Sequence, residues 1–254
     1  MGIAADRTLD HQAVRVGAAG DRDIRPMISP FAAFKRQQYR GQNSMRKLIV
    51  SIHSTANDIV TGPPSDTTNF MVWAQAGIED SLGTFLTSLA NVDTILLGRA
   101  TYEDLVRKWP KVKEWPHVSD VALRIGEKIN ATPKVVVTGK HPLERLEWGE
   151  FEPPTQLTGT NIEEQIEKLK EGDGSDIITF GSPTLVQSLT NAGLVDEYRI
   201  LIHPVIVNEG KRLFEDLDGR TDFRLISVDT FERGAILVKY APIEGSLATI
   251  DARS

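Results

Sequence analysis

Three short segments of this sequence place glycine, hydroxyl and basic side chains directly after runs of apolar residues. In the first segment, Leu96 and Leu97 are followed by Gly98, Arg99 and Thr101. Glycine lets the chain turn tightly and lets a ligand approach, and Thr101 is a candidate cap for a following helix. The amide hydrogens of a helix start attract anions, and an arginine adds a bidentate phosphate donor. The segment fits a phosphate site, and a capped helix with a surface arginine explains it as well.

The second segment, residues 180–185, has the sequence FGSPTL. Gly181 again follows an apolar run, Ser182 is a natural N-cap, and Pro183 fits the first position of a helix. An ordinary connection between a strand and a helix explains these features too. Two such junctions in one sheet nevertheless favour a diphosphate ligand.

The third segment, residues 137–141, has the sequence VTGKH. A hydroxyl at Thr138, a turn at Gly139 and a cation at Lys140 suit a phosphate monoester or a ribose. A solvated turn is an equally good explanation. The sequence contains neither a Walker loop nor a complete G-x-G-x-x-G motif, so the common nucleotide-binding signatures are missing.

Strands and helices that alternate from Met45 onward must position these segments. Apolar periodicity predicts strands over 47–54, 93–97, 134–138, 176–180 and 198–207, and helices over 69–90, from about 101, over 119–130, from 161 and over 182–192. A hairpin is predicted from 223–231 and 235–240. The pattern indicates an α/β three-layer sandwich. Its mixed, mostly parallel sheet has helices on both faces and a C-terminal antiparallel hairpin. Such sheets bind ligands beyond the carboxyl ends of their strands.

The composition limits the classes of protein to consider. The net charge is −6 and no long basic run occurs, so the footprint of a nucleic-acid binder is missing. The chain has no cysteine, which excludes disulfides and thiolate metal sites. No apolar run approaches the roughly 20 residues that cross a bilayer, and a cytoplasmic location is expected. The five histidines are dispersed along the chain, so no metal site is predicted.

The periodic pattern also divides the chain. Residues 1–44 show no sustained apolar period and are expected to be a poorly ordered extension. Residues 45–243 form the folded domain, and residues 244–254 form a C-terminal tail.

Three motifs in this domain resemble a known family: LLGRATYEDL, VVVTGK and IITFGSPTLVQSLTNAGLVDEYRILIHPVIVNEGKRLF. They occur in the order expected for the dihydrofolate reductase-like superfamily, and the resemblance to this superfamily covers residues 45–241. The most similar branch is the reductase domain of riboflavin biosynthesis, together with its stand-alone relatives. The resemblance implies a homodimer that uses NADPH to reduce a small heterocyclic or carbonyl substrate of the pyrimidine or pteridine type.

The resemblance also assigns cofactor contacts to the three segments. It implies that the first segment, at Gly98, contacts the phosphates. The third segment, residues 137–141, would recognise the 2′-phosphate side of the adenosine, and the second segment, residues 180–185, would hold the pyrophosphate. The cofactor-binding residues implied are Gly98, Arg99, Thr101, Thr138, Gly139, Lys140, Gly181, Ser182, Thr184 and Leu185.

The segment after the first strand departs from the family pattern. Family members often have S-L-D-G there, whereas this chain has Thr55-Ala56-Asn57-Asp58. Asn57 takes the place of the aspartate and Asp58 the place of the glycine. Both are candidate catalytic residues, and Asp58 is alternatively a turn residue.

His53 and Trp73 are the candidate substrate contacts, in the first strand and at the first helix. A packed histidine and a core tryptophan are the competing interpretations. The departure at Asn57 and Asp58 also motivates an alternative function. The chain would then be a nucleotide-binding or regulatory protein that kept the cofactor site and lost catalysis.

Overall fold

The computed structural model describes residues 45–62, 73–243 and 248–249 of the chain. The expected extension, residues 1–44, lies outside the described residues. So do most of the expected tail and the first residues of the helix predicted over 69–90. Within the described part, Ala248–Thr249 forms a short strand paired with Gly219–Arg220.

The strands of the described residues follow one another in this order: β1 Leu48–Thr55, β2 Ile59–Thr61, β3 Val92–Gly98, β4 Lys134–Gly139, β5 Thr155–Thr158, β6 Asp176–Phe180, β7 Glu197–His203, β8 Lys211–Arg212, β9 Gly219–Arg220, β10 Phe223–Thr230, β11 Ile236–Pro242 and β12 Ala248–Thr249. Eight of them form one sheet in the order β10-β11-β7-β1-β6-β3-β4-β5. From β7 to β5 every pairing is parallel, and β10 and β11 are antiparallel. The predicted mixed sheet with its C-terminal hairpin is confirmed.

The helices cover both faces of this sheet. They are α1 Gln75–Ser88, α2 Arg99–Leu105, α3 Asp120–Ala131, α4 Ile162–Glu171 and α5 Pro183–Asn191, with a 3-10 helix at Trp109–Glu114. The first three pack on one face and α4 and α5 on the other. None of the helices in the described parts of the chain is long and apolar enough to cross a membrane.

Strand β1 shows why the sheet needs both helical layers. Leu48, Val50 and Ile52 point into the cluster beneath α4 and α5, while Ile49 points into the cluster beneath α1 and α3. All four side chains are buried. A strand that is apolar on both sides loses contact with water only between two layers of helices. The predicted three-layer sandwich is therefore confirmed.

Two strands of the structure differ from the sequence-based predictions. Strand β5 was not predicted, because its sequence TQLT lacks an apolar run. It forms at the sheet edge through its parallel pairing with β4. The strand predicted over 198–207 ends at His203, because Pro204 has no N–H to donate to the ladder.

The helix starts also refine the predictions. Helix α2 begins at Arg99 with Gly98 at the N-cap position, so Thr101 lies in the first turn and is not the cap. Ser182 does occupy the N-cap position of α5, but its side chain makes no capping hydrogen bond. Ser119 caps α3, accepting a hydrogen bond from Ala122 N at 3.2 Å.

Candidate active site

The three segments singled out in the sequence meet at one edge of the sheet. Strands β6, β3 and β4 are adjacent and parallel, so their carboxyl ends point the same way. Thr179 of β6 pairs with Leu96, and Gly98 pairs with Val137 of β4. The chain therefore leaves the sheet at three neighbouring points.

We call the points where the chain leaves the sheet, at Gly98, Gly181 and Gly139, the first, second and third crossings. The first two crossings contact each other. A Cβ built on Gly98 would collide with the Ser182 hydroxyl, lie 2.8 Å from the Ser182 Cβ and 3.5 Å from the Leu185 Cβ. Because Gly98 has ordinary extended torsions (φ −74°, ψ 156°), glycine is required here for space and not for conformation. We expected a ligand to approach the Gly98 backbone. In the structure the side chain of Ser182 approaches Gly98 on one side, and the cofactor contact of Gly98 remains a prediction.

A second contact joins the same two crossings, between Gly181 and Thr101. A Cβ on Gly181 would lie 3.6 Å from Thr101 Oγ1 and 3.9 Å from Thr101 Cγ2. Gly181 (φ 56°) and Ser182 (φ 58°) both adopt the left-handed conformation. This conformation is unfavourable for serine, and such strain is found most often at functional sites.

Helix α5 offers free amides at this crossing. Its first hydrogen bond runs from Val186 N to Ser182 O at 3.0 Å, so the amides of Thr184 and Leu185 precede the bonds of the helix. The Leu185 side chain is buried in the core, which leaves only its N–H for a ligand. Lys211 Nζ donates to Thr184 Oγ1 at 3.1 Å and adds a cation. Sequence reasoning gave Lys211 no role in the cofactor site, because β8 is distant in the chain from the other site residues.

The third crossing is tied to the first by Arg99. Its Nη1 donates to the His141 carbonyl at 3.3 Å, and its Nε donates to Glu103 at 3.0 Å. Lys140 is exposed, and Gly139 turns the chain at φ 59°. The buried Thr138 hydroxyl lies 3.1 Å from Gln156 Oε1 and 3.3 Å from the Leu157 carbonyl, so protein groups already surround it.

These donors have the chemistry of a dinucleotide site. Amides at two helix starts lie beside exposed Arg99 and Lys140, and phosphate oxygens accept from both kinds of donor. The residues present therefore fit the phosphates of a nicotinamide cofactor.

The pairing between β1 and β6 ends beside this region. Strand β1 pairs with β7 as far as Thr55 and His203, but its pairing with β6 stops at Ser51 and Phe180. The Gly181 amide donates to Ser51 O at 3.4 Å as β6 turns away. The last residues of β1 therefore border a break in the sheet, the usual place for a ligand in such folds.

Asn57 follows β1 and is held by protein groups. Its Nδ2 donates to the Val207 carbonyl at 2.7 Å, and Val207 N donates to its Oδ1 at 3.4 Å. The Thr55 hydroxyl donates to the same Oδ1 at 2.8 Å. The amide thus fastens the loop after β1 to the loop after β7. Its proposed catalytic role remains a prediction.

Asp58 occupies a left-handed turn position (φ 68°), half-buried against the β8 region. Burial raises the pKa of its carboxyl group. The Arg212 guanidinium and the N–H groups of Leu213 and Phe214 oppose that rise. The turn interpretation of Asp58 and a protonatable carboxyl group are therefore compatible.

His53 and His203 form a pair that sequence spacing concealed. The histidines are far apart in the chain, yet β1 and β7 are neighbours, and His53 Nδ1 lies 3.0 Å from His203 Nε2. Trp73 contacts the His203 ring edge-on, with centroids 5.3 Å apart. His53 is partly exposed and His203 is buried. The structure thus brings together both predicted substrate contacts through His203, which sequence reasoning missed.

Comparison with known proteins identifies the family. The family described as RibD C-terminal domain matches residues 79–237, more than half of the 254 residues. The chain belongs to the RibD C-terminal domain family. A curated relative, the uncharacterized protein YyaP of Bacillus subtilis (strain 168), is 27% identical over 195 residues, covering 77% of this chain and 94% of its own.

Solved structures share the fold of this RibD C-terminal domain protein. A putative riboflavin biosynthesis protein from Shewanella sp. PV-4 matches with a TM-score of 0.53 at 14% identity, over 78% of this chain and 99% of that one. RibD of Acinetobacter baumannii matches with a TM-score of 0.54 at 14% identity, over 79% of this chain and 59% of that one. The family and the fold are those of reductases.

Proposed function

We propose that this protein is an NADPH-dependent reductase that transfers a hydride to a small heterocyclic or carbonyl substrate. The observation that supports this proposal is the reciprocal contact between the crossings at Gly98 and Gly181. It sets two helix starts side by side, where their amide hydrogens can share one diphosphate. The family is one of reductases, which is consistent with this use of the site.

In the proposed complex the phosphates bind to the amides of Thr184 and Leu185, the Ser182 hydroxyl and Arg99. Lys140, exposed on the third turn, binds the 2′-phosphate that distinguishes NADPH from NADH. When bound, the cofactor supplies the hydride, and the protein supplies orientation and electrostatics.

The substrate would bind where the pairing of β1 and β6 ends, next to His53 and Trp73. Asp58 is the candidate source of the proton that must accompany the hydride, because burial raises the pKa of its carboxyl group. Asn57 would act by positioning, since its amide ties the loop after β1 to Val207.

The cofactor assignment can be tested by fluorescence titration of NADPH and NADH. We expect Lys140→Ala to weaken NADPH binding about tenfold and NADH binding less, whereas Arg99→Ala removes a contact to the shared phosphates and should weaken both. Lys168→Ala is the matched control, because it removes an exposed cation from α4. Equal losses of NADPH and NADH binding in Lys140→Ala would contradict the assignment of Lys140 to the 2′-phosphate.

The alternative is a nucleotide-binding or regulatory protein without catalysis. It is favoured by the Asn57 side chain, whose amide is already bonded to the protein on both sides. Absorbance at about 340 nm, followed with pteridines, ribosylaminopyrimidines and quinones, separates the two functions. NADPH binding with turnover supports the reductase, and binding without any turnover supports the alternative.

A further inference from the structure

The His53–His203 pair joins β1 and β7 and lies outside the residues assigned to the cofactor. His203 ends β7, and the Nδ1 to Nε2 distance between the rings is 3.0 Å. The two rings lie nearly parallel, at 21° and 5.2 Å between centroids. At this distance one ring must donate a proton and the other must accept it.

Residues of neighbouring elements pack closely around the His203 ring. A Cβ at Gly77 of α1 would lie 2.6 Å from His203 Nδ1 and 2.9 Å from the Ala235 Cβ. Trp73 closes another side of His203. The His203 ring is therefore enclosed by α1, β1 and the residue before β11, while His53 stays partly exposed beside the break in the sheet.

The pair is electrically neutral near pH 7. Burial and the neighbouring His203 lower the pKa of His53 to about 3, and burial lowers the pKa of His203 to about 4. The charged groups of α1 and the β10–β11 turn pair with one another, at 3.3 Å between Glu79 and Arg233 and 3.6 Å between Asp80 and Arg233.

Because His53 Nδ1 is engaged with His203, Nε2 is the remaining ring nitrogen of His53. If His203 donates the shared proton, Nε2 carries a hydrogen and donates. If His53 donates it, Nε2 accepts. The unit can therefore satisfy a carbonyl oxygen or an N–H group, but it offers no charge to balance an ion.

We propose that His53, held by His203 as its positioning residue, contacts the substrate and selects an uncharged carbonyl or lactam group over a cationic ring. This inference rests on the proposed reductase function and narrows its substrate class. His203 sets the ring position of His53, and Trp73 packs against His203.

The test compares wild type, His53→Leu, His203→Leu and His203→Gln. The probes are a quinone and a pyrimidinedione as neutral substrates and a protonated 2,4-diaminopyrimidine as the cation. We expect both leucine variants to raise the KM of the neutral probe that is turned over by about tenfold, the loss of one hydrogen bond. The NADPH Kd should stay within about twofold, and His203→Gln, which keeps a donor for His53, should restore much of the KM.

Nitrogen-15 spectra of labelled histidines give a readout that does not depend on turnover. We expect neutral-ring signals for His53 and His203 near pH 7, shifted by the neutral probes and not by the diaminopyrimidine. Charged-ring signals, or a response to the cation alone, would overturn the inference.

The outcomes also separate this inference from the proposed function. If NADPH binds and turnover occurs but KM is unchanged in both leucine variants, the inference fails and the reductase stands. If wild type does not bind NADPH, the reductase fails, while the response of the His53 signals to the neutral probes still decides the inference.

Discussion

At the scale of single residues, one serine side chain explains why position 98 must be glycine. The torsions of Gly98 are open to any residue, but the space of its Cβ is taken by Ser182. Ser182 itself carries a left-handed strain that glycine would relieve. The two crossings are therefore coupled through one contact, and a pair of substitutions can expose that coupling.

We expect Gly98→Ala to destabilise the protein by about 1–3 kcal/mol, the range for overpacking, and to weaken NADPH binding. Adding Ser182→Gly should recover much of the lost stability, because it removes the colliding atoms. Urea unfolding of the wild type, both single variants and the double variant gives the four free energies of unfolding of a double-mutant cycle. Strictly additive effects would show that the contact does not exist in solution.

The histidine pair makes stability depend on pH. The pKa values of His53 and His203 are lowered in the folded state to about 3 and about 4, from 6.5 when unfolded. Between pH 6.5 and these values the unfolded chain binds protons that the folded chain does not. The contribution of the pair to the free energy of unfolding is therefore fully present above pH 6.5 and decreases as the pH falls below it.

Near pH 5.5 we expect a loss of about 1 kcal/mol per histidine relative to pH 7.5. Urea unfolding at both pH values measures it, and the double variant His53→Gln, His203→Gln should lose less. A variant with the same pH dependence as wild type would refute the assignment.

At the scale of elements, α1 has two glycines with opposite roles. A Cβ on Gly77 would collide with His203 and Ala235, whereas nothing lies within 4 Å of a Cβ on Gly83. Gly77 therefore sets the distance between α1 and the sheet, and Gly83 only weakens the helix. Periodicity indicated the helix but could not separate these roles, because the neighbours of Gly77 come from β7 and from the residue before β11.

We expect Gly83→Ala to stabilise the protein by up to about 1 kcal/mol, the difference in helix propensity. Gly77→Ala gains the same propensity but should destabilise by about 1–3 kcal/mol, because α1 must move away from the sheet. Thermal unfolding of the two variants compares them directly. A stabilising Gly77→Ala would mean that α1 is less tightly packed than the structure shows.

At the scale of the whole molecule, the sheet ends in an apolar surface. Leu225, Val228 and Ile236 lie on one face of β10 and β11 and are 52%, 49% and 38% exposed. Contiguous apolar side chains of this kind mark interaction surfaces. The homodimer that the family resemblance implies remains a prediction, and a second copy would cover this face.

If it does, Val228→Lys should convert a species of twice the chain mass into one of a single chain, because a charge cannot be buried without a partner. Light scattering after size-exclusion chromatography measures the mass. Glu163→Lys, on the exposed face of α4, is the control and should leave the mass unchanged. A wild type that is monomeric at all concentrations would remove the prediction.

The sequence by itself determined the order of the helices and of the strands with a long apolar run, because apolar periodicity is local and each layer must bury its own face. It also located the three strand ends that could hold phosphates. Only the tertiary structure decided that Ser182 packs on Gly98, that Lys211 reaches Thr184 and that His53 meets His203. These contacts join residues far apart in the chain. Their geometry depends on strand order and register, which a single sequence does not encode locally.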